Sequence, residues 1–238
     1  MKITIAHLFN DILNLYGESG NVLALKYALE SQNIEVNIKN ISIDQPLDLS
    51  DVDFIYMGAG TEQNQKLALD YLLKHSGEIS QAILANKFFF VTGNSIELFG
   101  KEIKLKDESI QTLGLFEYFT EKTEKRLVSE TVFKCEYVDD LLIGFENHEG
   151  KTINSSNPLF SIIKGYGSLK DGGVEGFKQD NFYSTYMIGP ILARNPKLLS
   201  YIAKELILYK DKNFEIKEFN LEIPQMAHDK YLEKYTSL

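Results

Sequence analysis

The sequence predicts an α/β fold: a mostly parallel sheet with helices on both faces and an antiparallel extension. Three observations carry that reading. Up to Gly100, short apolar runs alternate with stretches of helical spacing, the β-α-β rhythm of a doubly wound sheet. Phe88, Phe89, Phe90 and Val91 form a run apolar on both faces, which suits a strand in the middle of such a sheet. The run then breaks at Thr92, Gly93 and Asn94, giving the strand, tight turn and helix on which α/β enzymes often mount a nucleophile. Here the apex residue is Gly93, which has no side chain to react with.

Lys2 to His7 alternates enough to be the first strand. The loop from Phe9 to Gly20 is rich in Asn, Asp and Gly. It leads into a helix from about Asn21 to Gln32, with Val22, Leu25 and Leu29 at helical spacing. In Ile34 to Ile41, the residues Ile34, Val36 and Ile38 alternate with Glu35, Asn37 and Lys39, so this strand has one solvated face. Asp53 to Met57 is a short buried strand that ends in Gly58, Ala59 and Gly60. A long helical region runs from about Gln63 to Ala85, with a break near Ser76 and Gly77. Past the Phe88 strand, Ser95 is placed to cap a short helix through Phe99, and Gly100 falls where a left-handed helix stop would sit.

Beyond Gly100 the rhythm changes. Thr131 to Tyr137, Leu142 to Phe145, Ser161 to Lys164 and Phe182 to Ile188 are β-like, and antiparallel pairing at one side of the sheet accounts for them. Asn195 to Tyr209 is the clear late helix, with Pro196 in its first turn. The tail after Lys210 is charged and weakly periodic, and is expected to dock loosely. With no repeat or linker in view, residues 1–238 read as a single domain.

Composition narrows the function. With 25 Lys+Arg against 34 Asp+Glu the formal charge is −9, and the lysines are scattered, which argues against a nucleic-acid surface. A single cysteine, Cys135, excludes an internal disulfide and a cysteine-rich zinc site; no metal and no cofactor are expected. The apolar run in MKITIAHLF is too short for a signal peptide, and no stretch could span a bilayer. A cytoplasmic protein is expected.

Five segments are long and distinctive: HLFNDILNLYGESGN, MGAGTEQNQ, LGLFEYFTEKTEKR, IGFENHEGKT and STYMIGPILARNP. In these, nearly end to end, the chain resembles the GatD family. These are the glutamine amidotransferase subunits of lipid II isoglutaminyl synthase, class I amidotransferases of the CobB/CobQ-like type. The resemblance implies a flavodoxin-like class I amidotransferase fold. It also implies a small subunit that hydrolyses glutamine and hands ammonia to a Mur-ligase-like (MurT-type) partner. That partner activates and amidates the glutamate of the peptidoglycan stem peptide.

Family members carry a Cys-Gly-Gly-aromatic-Gln run at the elbow and a Tyr-Leu/Phe-His-Gly-Pro run late in the chain. A cysteine thiolate attacks the glutamine amide, and a histidine keeps it deprotonated and then protonates the leaving ammonia. Counted back from Gly100, the family's cysteine position is Gly93 and its glutamine position is Glu97. Counted from Gly189-Pro190, the histidine position is Ile188. Glycine cannot attack a carbonyl and isoleucine cannot move a proton. The resemblance therefore implies a subunit that keeps the scaffold and lacks glutaminase activity. Glycine also occupies a strained elbow without the steric cost that a Cβ brings.

By the same resemblance, the amides of Gly58, Ala59 and Gly60 with that of Asn94 would form an oxyanion hole. Arg126 matches an arginine the family uses near its active site. Glu97 places a carboxylate where the family has a neutral amide, and within reach of Arg126 it would form an ion pair filling the old glutamine site.

Other residues offer weaker substitutes. Cys135 alternates with Phe133 and Tyr137 on one strand face and reads as a packed thiol. His148, in FENHEG, reads as structural or pocket-lining, while His7, His75 and His228 have no companion signal. Asp139-Asp140 and Glu146 to Glu149 read as solvated loop charge. The expected function is a GatD-like subunit that stabilises its partner. A scaffold or regulatory protein outside peptidoglycan synthesis, and an enzyme with relocated chemistry, are the alternatives.

Overall fold

The computed structural model describes residues 1–153, 155–168 and 173–236. Four strands come first: β1 (Lys2–Leu8), β2 (Glu35–Ile41), β3 (Phe54–Met57) and β4 (Phe88–Thr92). Six more make a second sheet: β5 (Glu102–Lys104), β6 (Ser109–Gln111), β7 (Phe119–Cys135), β8 (Val138–Ile153), β9 (Phe160–Lys164) and β10 (Val174–Glu175). The chain then returns to the first sheet with β11 (Phe177–Gln179) and β12 (Phe182–Thr185). The first sheet runs β2-β1-β3-β4-β12-β11, parallel except for β11 at the edge. Its parallel part has the flavodoxin-like strand order, in which ligands sit beyond the carboxyl ends of the strands.

The both-faces-apolar pattern of β3 and β4 does what it predicts. Alternate side chains enter opposite layers, since successive Cβ atoms of a strand point to opposite faces. Phe54, Tyr56, Phe88 and Phe90 face the layer built by α1 (Ser19–Ser31) and a later helix, Pro196–Lys210. Ile55, Met57, Phe89 and Val91 face the layer of α2 (Glu62–Lys74) and α3 (Ser76–Leu84). Rings stack along the first face, with Phe54 on Phe88 and Phe88 on Tyr183. Three helices follow β12: α4 (Ile191–Arg194), α5 (Pro196–Lys210) and α6 (Glu222–Thr236). The expected long helix is split at His75, between α2 and α3.

Several local expectations are corrected. The antiparallel strands do not simply extend the first sheet. Only β11 does so, and the remainder form a second sheet around the β7–β8 hairpin, bridged to the first where Phe145 pairs with Ile188. The short helix after the elbow is a 3-10 turn over Gly93–Leu98, and Ser95 does not cap it: its hydroxyl donates to the Gly58 carbonyl at 2.6 Å. Gly100 is not left-handed. A Cβ there would lie 2.5 Å from the Tyr118 carbonyl oxygen, so its role is close approach.

The tail is held more tightly than its weak periodicity suggests. Phe214, Ile216 and Phe219 pack on the core, His228 is buried, and the Lys217 amide donates to Gln32 at 2.8 Å. Among the described residues, no helix is long and apolar enough to cross a membrane.

Candidate functional site

The site lies at the carboxyl end of β4, where Gly93 turns the chain with φ at +63°. That left-handed geometry is easy for glycine and strained for residues with a Cβ. The space above it is also taken. A Cβ on Gly93 would sit 2.3 Å from Ala59 Cβ and 3.0 Å from Ile188 Cγ2. Ile188 is itself fully buried, its amide donating to the Phe145 carbonyl at 3.0 Å.

Beneath the elbow runs a buried polar web. The Glu18 carboxylate accepts from the Tyr56 hydroxyl at 2.9 Å, from the Thr92 hydroxyl, and from the Gly189 amide at 2.9 Å. Tyr56 accepts in turn from the Asn21 amide at 2.8 Å. Burial raises the Glu18 carboxyl above the usual carboxylate range, against the opposing pull of these hydrogen bonds. Glu18 ties the amino-terminal loop to the Gly189 turn, and sequence reasoning missed it. A glutamate among Gly and Ser residues looks solvated.

Ala59, Gly60, Gly93, Asn94 and Ile188 floor a cavity of about 70 Å³, with Lys122 and His148 on its wall and Arg126 among the residues around it. The structure brings Gly93, Ile188, Ala59, Gly60, Asn94 and Arg126 to one cavity. It leaves Gly58 and Glu97 behind the wall. The Gly60 amide is already used, donating to Asn94 Oδ1 at 3.2 Å, while the Asn94 side chain donates back to the Gly60 carbonyl at 3.0 Å. Gly60 thus offers no free oxyanion donor here.

The expected Glu97–Arg126 ion pair does not form. Glu97 is fully buried and pairs with the Lys122 ammonium at 2.8 Å. It also accepts from Gln65 at 2.8 Å and from the Tyr186 hydroxyl at 3.2 Å. Arg126 reaches outward instead, to Glu62 at 2.6 Å and Glu149 at 3.3 Å. The cause is local. The regular β7–β8 pairing stops at Lys122 and resumes at Leu127, so Lys122 is held by the ladder and turns inward while Arg126 lies within the irregular stretch between them. Sequence reasoning passed over Lys122.

His148 lines the cavity and stacks on Tyr186, with ring centroids 4.1 Å apart. Its Nδ1 lies 2.8 Å from the Gly150 carbonyl. A carbonyl only accepts, so the neutral ring carries its proton on Nδ1. Burial lowers the ring's pKa to about 4, assisted by the nearby cations of Lys122, Arg126 and Lys151. The folded state refuses a proton that the unfolded chain accepts near 6.5, so this group's stability is present above pH 6.5 and lost as pH falls toward 4. The stability deficit of His148→Gln relative to the parent is therefore expected to narrow between pH 7 and 4.5, by up to about 3 kcal/mol. Denaturant titrations of both proteins across that range check it; a deficit constant with pH would refute it.

Elsewhere, Glu146 corrects its expectation. It sits on β8 with no exposed surface and is not solvated loop charge. Cys135 packs against the core and burial raises its thiol pKa, which leaves it unsuited to act as a nucleophile. His7 and His228 are buried, and His75 pairs with Glu78. Among the described residues, no group of three or more His, Cys, Asp and Glu side chains converges as a metal ion would need.

Residues 4–196 match the CobB/CobQ-like glutamine amidotransferase domain. The chain is 29% identical over 222 residues to the lipid II isoglutaminyl synthase (glutamine-hydrolyzing) subunit GatD of Staphylococcus aureus, covering 93% of this chain and 91% of that one. It is 29% identical over 201 residues to the GatD subunit of Streptococcus pneumoniae, covering 83% and 77%. Among solved structures, a glutamine amidotransferase from Thermotoga maritima superposes with a TM-score of 0.54 at 9% identity, covering 98% of this chain and 92% of that one. The glutaminase domain of Trypanosoma brucei CTPS gives 0.51 at 10% identity, covering 90% and 96%. At such identities these two speak for the fold alone, and it is the fold described above. By the domain match, this chain belongs to the CobB/CobQ-like glutamine amidotransferase family.

Proposed function

We propose that this chain is a GatD-like subunit of a lipid II isoglutaminyl synthase-type complex in the cytoplasm. In this reading it does not hydrolyse glutamine, and it stabilises a Mur-ligase-like partner that draws on free ammonia. The likeness to two GatD subunits over most of their length supports the complex. The observation that carries the loss of chemistry is Gly93: no nucleophile stands at the elbow, and Ala59 and Ile188 occupy the space one would need.

Hydrolysis of an amide requires an attacking group and a proton for the departing ammonia. Ile188, at the position expected of the base, supplies no proton. His148 could hold a proton, but none of the hydrogen bonds described around the cavity joins it to a thiol or hydroxyl. Glu97 and Lys122 satisfy each other in the wall, leaving less there to recognise a glutamine.

The test has two arms. The purified chain is expected to release no ammonia from glutamine above background, and release that survives controls for contaminants overturns the loss of chemistry. Co-expressed with the Mur-ligase-like protein of the same genome, it is expected to co-elute on size exclusion. The interface should be on the order of 1,200–2,000 Å². Separate elution at micromolar concentration, with unchanged melting temperatures, would favour a scaffold outside peptidoglycan synthesis.

A further inference from the structure

Four carboxylates among the described residues have no exposed surface: Glu18, Glu97, Glu146 and Glu175. Glu97 has Lys122 as its counter-ion. Glu146 and Glu175 are different: no salt bridge is described for either, and their hydrogen bonds converge on the adjacent residues Gly167 and Ser168.

Glu175, on β10, accepts the Tyr186 amide at 2.6 Å and the Thr185 hydroxyl at 2.6 Å, both just at the end of β12. The Ser168 hydroxyl lies 3.4 Å from it and accepts the Gly176 amide at 3.3 Å. Glu146, from β8, accepts the Gly167 amide at 3.1 Å, while its other oxygen is buried without a partner. The groups acting most strongly on Glu175 are Thr185, Tyr186, Glu146 and Ser168, and those on Glu146 are Gly167, Thr131 and Tyr166. None is a cation. Two full charges in so dry a site are costly, and neutralising one of them by a proton is the usual escape.

We propose that Glu146 and Glu175 form a one-proton clasp that holds the β9–β10 pair onto the end of β12 and lets go when both carboxyls are charged. The proton leaves to solvent, and no covalent bond changes. Release loosens the backbone of Thr185 and Tyr186, which carries the ring stacked on His148 and the hydroxyl bound to Glu97. The clasp thereby couples proton concentration to the rear wall of the cavity. Burial holding the Glu175 carboxyl up at about 8 supports the assignment and places the transition just above neutral pH.

The sign follows from linkage. A carboxyl raised in the closed state keeps a proton that the open state releases, so opening grows easier as pH rises toward 8 and levels off above. Native-state hydrogen exchange on the full chain reads this at the Tyr186 amide. After correction for intrinsic exchange, its opening constant is expected to rise about tenfold per pH unit between 6 and 8. In Glu175→Gln that slope should vanish, and in Glu146→Gln the rise should level off at a lower pH, because the neighbouring charge that raises Glu175 is gone.

Three results would overturn the proposal. One is a flat pH profile in the parent. Another is the same slope in Glu175→Gln. The third is a Tyr186 amide that exchanges no faster than the amides of β3, which would mean the site opens only when the whole fold does. Should Glu175→Gln fail to fold, the parent profile and the comparison with β3 still decide.

Discussion

A cysteine placed at position 93 is expected to destabilise the fold markedly and to yield no glutaminase. Two costs add. The left-handed φ of +63° charges a residue with a Cβ about 1–3 kcal/mol. The contact of that Cβ with Ala59, at 2.3 Å, is overpacking of a tight site, worth roughly another 1–3 kcal/mol. In a chain of this size each kcal/mol lowers the melting temperature by about 2–4 °C. The double variant Gly93→Cys/Ala59→Gly should recover most of the overpacking share, leaving the 3.0 Å contact with Ile188 and the backbone share. Neither should release ammonia, because with Ile188 in place of a base the thiol stays mostly protonated near neutral pH. Thermal melts and an ammonia assay on the single and double variants check both halves. A Gly93→Cys protein as stable as its parent would show that Ala59 moves aside freely, and the account of a filled nucleophile space would fail.

That prediction rests on a feature readable in the sequence and one that is not. The Phe88 run, the break at Gly93 and the glycine itself were all visible, because central parallel strands carry continuous apolar residues and turns carry glycine. The obstruction by Ala59 was not, since it depends on how closely the β3 and β4 ends approach. The same division runs through the fold. The β-α-β half was legible from periodicity. The β7–β8 hairpin was seen only in fragments, because Lys122 to Arg126 is polar and charged, and the register shift there breaks the two-residue alternation.

Charged residues were the hardest to place. In the sequence Glu146 reads as solvated charge and nothing marks Glu18 or Glu175, yet all three are fully buried. A carboxylate is rarely buried, so composition argues for solvent whenever the partners are distant in sequence. Glu18 depends on Tyr56, Thr92 and Gly189, and Glu175 on Thr185 and Tyr186. The partners of Glu18 meet only once β3, β4 and the turn after β12 are in place, and those of Glu175 only once both sheets are assembled. Hydrogen-bond donors supplied by the backbone leave no trace in side-chain pattern at all.

The pairing of Glu97 shows the same limit and supports the other large prediction. Lys122→Met is expected to be among the most destabilising single changes in the chain, costing about 3–5 kcal/mol, because it strands a buried carboxylate without its cation. Glu97 has no exposed surface, while the Lys122 side chain keeps 15% of its own. The pair is therefore asymmetric. Glu97→Gln leaves a cation that can turn toward water and an amide oxygen that still accepts from one of Tyr186 and Gln65, so its cost should be smaller, about 1–3 kcal/mol. The double variant Glu97→Gln/Lys122→Met should be more stable than Lys122→Met alone, since no buried charge then remains unpaired. Urea titrations of the parent, both singles and the double form the cycle that measures this. If Lys122→Met proves no costlier than Glu97→Gln, or the double recovers nothing, Glu97 does not depend on Lys122 as the distances imply.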